Sequence, residues 1–311
     1  MNIVYMGTPD FAVPALRRIH EEGHNIKLVV TQPDRPRDRG KKLRPTPVKV
    51  IAEELGIPVC QPDRIKNNDE FLDKLKEIAP DLIVVVAYGK ILPKEILDIP
   101  KYGCINIHAS ILPKYRGPAP IQHAILSGDS ETGVTLMYMA EGMDTGDMID
   151  TRTTLIDKKT AGELHDELAI LGAEMLIDNL TDLKSGEAKR IKQDESLATY
   201  APMIYKKDGL IDFNKSPVEI ERQIRAMTPW PGAYTFYKGE QMKVISAHPH
   251  ESDEKEDKQP GTISYVGPEG IGIVTKDGLL LVTEIQMPGK RAMKVSEFLK
   301  GNKIEIGTVL G

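Results

Sequence analysis

Residues 82–87 read Leu82-Ile83-Val84-Val85-Val86-Ala87, apolar at every position and rich in β-branched side chains. A run without alternation needs cover on both faces, as a strand at the centre of a parallel sheet has. The flanks agree. Upstream, Asn68 to Ala79 carries helical spacing and Pro58 to Gln61 is strand-like. Before them, Thr46-Pro47 sets a cap and a first-turn proline ahead of the helix VKVIAEELG. Further back lie the strand Ile26 to Thr31, the helix FAVPALRRIHEEG ending at Gly23, and the strand Asn2 to Met6 closed by Gly7-Thr8-Pro9. Downstream, Gly103 to Ile107 is one more strand. Strands alternating with helices through short connections predict an α/β fold with an open, mostly parallel, Rossmann-like sheet. Ligands of such a sheet sit beyond the carboxyl ends of its strands, here Gly7-Thr8-Pro9, the loop after Thr31, Ala87-Tyr88-Gly89 and the residues after Ile107. The first turn has no GxGxxG, which disfavours a dinucleotide-dependent oxidoreductase.

Past the amphipathic helix Ala161 to Leu183 the pattern changes. Residues 185–208 mix turn formers and charges without a period, as a linker does. Ser216-Pro217-Val218-Glu219 forms a capping box that opens a helix to Ala226. Short strands then recur at Ala233 to Tyr237, Met242 to Ala247, Gly261 to Val266, Gly270 to Thr275 and Leu279 to Ile285, the signature of a small β-barrel of oligonucleotide-binding type. The expected domains are 1–184, a linker at 185–208, and a C-terminal barrel at 209–311. A length of 311 residues suits two domains of roughly 150 each.

With 28% charged and 40% hydrophobic residues, the composition supports packed cores and excludes fibrous and disordered chains. The start MNIVYMGTPDF lacks the pattern of a signal peptide, and no apolar run reaches the ~18 residues of a membrane span, so a cytoplasmic protein is expected. Cys60 and Cys104 stand apart in apolar runs, and His248 and His250 have no ligand set around them, so no metal is expected. ESDEKEDK at 251–258 reads as an acidic hairpin tip without assignable chemistry. Charge is more telling. From Arg35 to Lys49 the segment RPRDRGKKLRPTPVK holds seven basic residues against Asp38, a local +6 on a chain of net −5. A basic loop on an acidic body is a directed anion site, although a solvated loop has the same composition. Its three prolines, one glycine and few large apolar residues predict a loop that moves freely until phosphates order it. Late in the chain, Lys290, Arg291, Lys294, Lys300 and Lys303 group as a candidate nucleic-acid face.

The densest chemistry runs from Asn106 to Gly117, NIHASILPKYRG, directly off a strand. Asn106 and His108 are two apart and so point the same way on an extended chain. An amide donor beside an imidazole suits acyl or formyl transfer to an amine, in which an oxyanion must be held and an amine proton managed. In AEGMDTGD, residues 140–147, Asp144 sits in a loop after the strand Val134 to Met139 and can orient His108 and favour its protonated form. A histidine with a purely structural role remains open on these residues alone.

NIHASILPKYRGPAPIQHAI together with AEGMDTGD resembles the catalytic region of the folate-dependent formyltransferases. The likeness runs from GTPDFAVPAL through QPDRPRDRGKKLRPTPVK to TPWPGAYT, LLLVTEIQMPGKRAM and FLKGN, nearly the whole chain. The basic loop and C-terminal segments are similar to those of members whose acceptor is a tRNA. The resemblance implies that Asn106, His108 and Asp144 are catalytic. It implies a pterin pocket from Val86, Ala87, Tyr88, Gly89, Ile91 and Leu92, with Met139, Ala140, Glu141 and Gly142. It assigns tRNA contacts to Arg39, Lys41, Lys42, Arg44, Lys206, Lys207, Lys290 and Arg291. The implied cosubstrate is 10-formyltetrahydrofolate, without metal, and the implied partner is initiator methionyl-tRNA, with no membrane or DNA contact and a monomeric chain. Arg37-Asp38 departs from the family, which often carries small residues there. A sharp turn after the catalytic strand makes a cis bond at Leu112-Pro113 the expectation. Two other readings stay open. One is the same chemistry, or deformylation, on a small molecule, which leaves the basic loop idle. The other is a non-catalytic RNA-binding protein, in which the trio is dispensable.

Overall fold

The computed structural model describes residues 1–37, 42–250 and 258–311, leaving aside the side chains of Arg37 and Lys42. Residues 251–257 of the acidic segment therefore lie outside the description. The chain divides into two compact units, one of Met1–Pro120, Glu131–Leu155 and His165–Ala201, the other of Ile121–Ser130, Ile156–Leu164 and Pro202–Gly311.

In chain order the elements up to residue 185 are β1 (Asn2–Gly7), α1 (Val13–Glu21), β2 (Asn25–Val30), β3 (Arg35–Arg37), β4 (Lys42–Arg44), α2 (Pro47–Glu54), β5 (Val59–Cys60), α3 (Asp69–Ile78), β6 (Leu82–Val86), α4 (Lys94–Leu97), β7 (Cys104–His108), α5 (Pro120–Ser127), β8 (Glu131–Tyr138), β9 (Met148–Leu155) and α6 (Ala161–Ser185). The main sheet has the order β5-β2-β1-β6-β7-β8-β9. Its first five strands are parallel, and β8 runs antiparallel to both β7 and β9. Every residue of β6 is buried, as its unbroken apolar run requires. Val4, Met6, Leu28, Val30, Ile83 and Val85 form one core with Phe71 and Leu75 of α3, and each such side chain contributes roughly 1.5–3 kcal/mol by leaving water. At the head of α2 Thr46 accepts from Lys49 N–H, the cap the sequence announces; at the head of α3 Asn68, expected as the first helical residue, is instead the cap and accepts from Phe71 N–H.

The basic segment corrects one expectation. The residues after Asp34 are not without regular structure, because β3 and β4 pair antiparallel with Arg35 opposite Arg44, Pro36 opposite Leu43 and Arg37 opposite Lys42. The backbone ladder holds the two arms together although Arg35 and Arg44, of like charge, are partners across it, an arrangement that costs roughly 0.2–1 kcal/mol. Arg39 and Lys41 lie outside the described residues.

The base of this ribbon is anchored by Asp34. Lys49 Nζ donates to Asp34 Oδ2 at 2.6 Å and Gln61 Nε2 to Asp34 Oδ1 at 2.7 Å. The lysine bond, then the amide bond, hold the carboxyl below the usual aspartate range. A depressed folded value stabilises the fold above the unfolded value of about 4, and that gain is lost as pH falls through the folded one. Asp34→Asn is therefore expected to lower the urea midpoint at pH 7 and to lose its deficit as the pH is taken below about 4. Parallel midpoint curves for both chains down to that pH would contradict it.

In the second unit follow α7 (Pro217–Ala226), β10 (Ala233–Tyr237), β11 (Glu240–His250), β12 (Ile263–Gly267), β13 (Gly270–Val274), β14 (Leu279–Gln286), β15 (Met293–Lys294) and α8 (Val295–Phe298). Ser216 and Glu219 form the capping box of α7. The strands make an antiparallel sheet in the order β10-β11-β14-β13-β12, with β15 against β14. Leu112-Pro113 is cis, as expected; Thr228-Pro229 and Trp230-Pro231 are cis as well, and no local pattern announces either. Among the described residues no helix is long and apolar enough to cross a membrane.

Candidate active site

β7 carries Asn106 and His108 on one face at its carboxyl end. Asn106 is half-buried and its amide has no partner among the described residues. His108 is only 6% exposed. Its Nε2 lies 2.9 Å from the carbonyl oxygen of Tyr115. A carbonyl can only accept, so Nε2 carries the proton in this contact and Nδ1 is left as the nitrogen that can gain or lose one. Nδ1 faces Asp144 Oδ2 at 3.6 Å, too long for a hydrogen bond and close enough for an ion pair once the ring is protonated. Asp144 Oδ2 also accepts from the Gly117 N–H at 2.8 Å.

The short segment Tyr115-Arg116-Gly117 thus touches both ionisable members of the trio. Tyr115 and Gly117 have positive φ, 61° and 118°, and a Cβ at Gly117 would stand 2.8 Å from the Ala201 carbonyl oxygen. Arg116 between them has a side chain with 0% exposure. Its Nε and Nη2 donate to Gln193 Oε1 at 3.0 and 2.8 Å, and its Nη1 and Nη2 to the two Glu195 oxygens at 2.9 and 2.7 Å. The bond to Glu195 raises the guanidinium pKa further and holds the Glu195 carboxyl below its usual range. Gln193 Nε2 in turn donates to the carbonyl oxygens of Asp144 and Gly146 at 2.7 and 2.8 Å. Backbone bonds from Arg116 N–H to Thr199 and from Ala201 N–H to Arg116 stitch the same stretch down. None of Arg116, Gln193 and Glu195 emerges from the sequence reading. Arg116 sits inside the chemistry-bearing segment, but its two partners lie in the aperiodic stretch 185–208, where no local pattern marks them.

Asp144 stands in the loop after the strand, as expected, and strand direction sets its route. Because β8 is antiparallel to β7, with Tyr138 beside Ile105 and Thr135 beside His108, the loop 139–147 leaves the sheet at the opposite end from His108. Met139 N–H still bonds to the Cys104 carbonyl at 2.8 Å. The loop must run back along the sheet to bring Asp144 to His108, and Asp144 takes a left-handed conformation on the way (φ 53°).

Three of the anticipated strand ends meet. The Tyr88 carbonyl accepts from Thr8 Oγ1 at 3.2 Å and from Gln32 Nε2 at 3.0 Å. Val86 is buried, and the side chains of Tyr88 and Leu92 belong to the core, so at those two positions only backbone can face a ligand. Ala87 and Gly89 are exposed with positive φ, 46° and 83°, and Ile91 is 64% exposed. Met139 packs partly buried against the core, whereas Ala140, Glu141 and Gly142 are exposed. Of the basic residues, Arg44 is exposed on β4. In the second unit Lys206 and Lys207 are exposed on the turn Lys206–Gly209, and Lys290 and Arg291 between β14 and β15. No cluster of three metal-ligating side chains occurs among the described residues.

Residues 1–180 match the family model described as formyl transferase, and residues 203–303 match that of the formyl transferase C-terminal domain. The chain belongs to the formyl transferase family. Within this family it is 51% identical over 311 residues to the methionyl-tRNA formyltransferase of Clostridium novyi (strain NT), and 53% identical over 312 residues to that of Clostridioides difficile (strain 630), each alignment covering 100% of both chains. Among solved structures it is similar in fold to WlaRD, a sugar 3N-formyl transferase, with a TM-score of 0.66, 22% identity and coverage of 94% and 99% of the two chains. It is also similar to HypX from Aquifex aeolicus in complex with tetrahydrofolic acid, with a TM-score of 0.64 and 20% identity. There the alignment takes 99% of this chain and 50% of HypX, so the chain spans about half of that protein.

In this formyl transferase the loop that presents Asp144 depends on a backbone contact only glycine permits. A Cβ at Gly146 would lie 1.8 Å from the Tyr138 carbonyl oxygen. Gly146→Ala is expected to cost about 1–3 kcal/mol of stability and, through displacement of Asp144, about 100-fold in turnover. Thermal unfolding and steady-state kinetics read the two effects separately, and a variant with native turnover would show the loop to be indifferent to that contact.

Proposed function

We propose that this chain transfers the formyl group of 10-formyltetrahydrofolate to the free amine of methionyl-initiator tRNA, giving the N-formylmethionyl-tRNA used in translation initiation. The observation that carries the reading is the convergence of Asn106 and His108 on one face of β7 with Asp144 at 3.6 Å from His108. Full-length identity of about half to proteins named for that reaction supports the choice of acceptor. A formyl carbon attached to nitrogen supplies the electrophile. Asn106 Nδ2 donates to the oxygen on which negative charge builds, and a protonated His108 donates from Nδ1, each well-placed donor contributing roughly 3 kcal/mol. Asp144 Oδ2, 3.6 Å from Nδ1, faces the ring; as the bond from the amine nitrogen to the formyl carbon forms, the bond from that carbon to the folate nitrogen breaks, and the proton the amine gives up ends on that folate nitrogen.

The exposed left-handed backbone at Ala87 and Gly89, beside the exposed apolar Ile91, fits a flat heterocycle with polar edges, and Met139 to Gly142 are the residues we assign to its other side. Arg39, Lys41, Lys42 and Arg44 with Lys206, Lys207, Lys290 and Arg291 are assigned to tRNA phosphates, and the C-terminal domain 209–311 to tRNA binding, in a monomer acting in the cytoplasm. Incubation with 10-formyltetrahydrofolate and charged initiator tRNA, followed by hydrolysis and chromatography, is expected to yield N-formylmethionine. Its absence, with formate released or the folate unconsumed, would sink the reading.

A further inference from the structure

We propose that Gln193, locked in place by Arg116, is a positioning residue that sets where Asp144 stands; as a statement about turnover this rests on the function proposed above. The amide of Gln193 is used completely. Its oxygen accepts two N–H groups of Arg116, and its nitrogen donates to two carbonyls, those of Asp144 and Gly146. A flipped amide would set oxygen against carbonyls and NH2 against guanidinium, so only one orientation satisfies all four bonds. Arg116 is a donor-only group with no exposed side chain and must be met by acceptors, which Glu195 and Gln193 provide.

The two acceptors are not equivalent. Glu195 is 69% exposed, so its charge is solvated as well as paired. Position 193 is held by a neutral amide, and the reason lies on its far side, where the loop offers two carbonyl oxygens that only a donor can bind. The contacts close a ring: Arg116 to Gln193, Gln193 to the Asp144 backbone, the Asp144 carboxylate to Gly117 N–H, and Gly117 back to Arg116 through the peptide bond. Tyr115, on the other side of Arg116, holds His108. The left-handed backbone of Asp144, a conformation disfavoured for a non-glycine residue, is fixed by this ring. An anchor serving Arg116 alone would be equally well made by a glutamate, whereas a residue that also positions Asp144 must be an amide.

The test compares Gln193→Leu and Gln193→Glu in the native chain and in Asp144→Ala. In the native background both are expected to lower kcat about 30-fold while KM for tRNA and folate stays within about twofold, and in the Asp144→Ala background the further loss should be under about threefold. On the free protein, amide exchange at Gly117 should quicken at least about tenfold in both variants, with β1 and β6 unchanged, because the carboxylate that accepts its N–H has moved. The glutamate variant keeps Arg116 neutralised and so guards against a leucine variant that does not fold. Native turnover in Gln193→Glu, equal losses in the two backgrounds, or unaltered Gly117 exchange would each overturn the proposal. The exchange measurement needs no substrate. A native chain that makes no N-formylmethionine, yet whose variants loosen Gly117, would remove the proposed function and leave the positioning intact.

Discussion

Replacing Asn106, His108 or Asp144 by alanine is expected to lower kcat by about two orders of magnitude or more in each case, with KM for tRNA changed little. The reason is the timing of the charge they act on. The formyl oxygen is a neutral carbonyl in the bound substrate and becomes negative only as the amine attacks, so a donor aimed at it lowers the barrier without tightening the ground state. Asn106 is placed for this, because its amide is bound to no other described residue and gives up no existing bond when it turns to a ligand. His108→Ala removes the Nε2 donor to Tyr115 as well as the Nδ1 proton, and should therefore show the largest loss. Asp144→Asn is the informative relative: it keeps an oxygen for Gly117 N–H but not the charge opposite the imidazole, so its loss measures the ion pair alone. Steady-state kinetics with both substrates varied decides the matter. Near-native turnover in Asn106→Ala would end its assignment to the oxyanion.

The sheet was legible because its signals are local. Unbroken apolar runs at β1 and β6 demand cover on both faces, and caps at Thr46 and Ser216 are written in neighbouring residues. Asn106 and His108 could be paired for the same reason, since a strand puts i and i+2 on one side. Asp144 was legible as a member of the site but not in the way it gets there. Strand direction leaves no trace in β8, whose residues are buried nearly throughout whichever way they run. The bonds of Arg116 to Gln193 and Glu195 join positions 77 and 79 residues apart, and bonds between single polar side chains over such distances have no period to betray them. Tyr88 and Leu92 mark a different limit. A loop beyond a strand end reads as ligand-facing throughout, yet some of its side chains turn back into the core and leave the ligand only their backbone.

The second large effect is expected on tRNA use. Removing two charges of the basic segment, in Arg39→Ala combined with Arg44→Ala, should raise KM for tRNA about tenfold at 0.15 M salt and reduce the slope of log affinity against log salt by about two, one for each phosphate no longer neutralised. The ribbon concentrates charge against its own interest, for Arg35 and Arg44 are partners across the ladder. A polyanion laid along it relieves that repulsion and releases its own counterions, so both terms favour binding and both weaken as salt shortens the screening length to about 8 Å. The surrounding anchors do not enter this balance: Asp34 is already committed to Lys49 and Gln61. KM for the folate should stay as in the native chain, because the residues assigned to the pterin belong to the strand ends around Tyr88 and not to the ribbon. A salt series of steady-state rates with the paired variant separates the cases. If KM for tRNA and the slope both remain native, the ribbon is solvated surface and the acceptor is held elsewhere; if the folate KM rises in step with that for tRNA, the two sites are not independent and the assignment of the ribbon to phosphate alone fails.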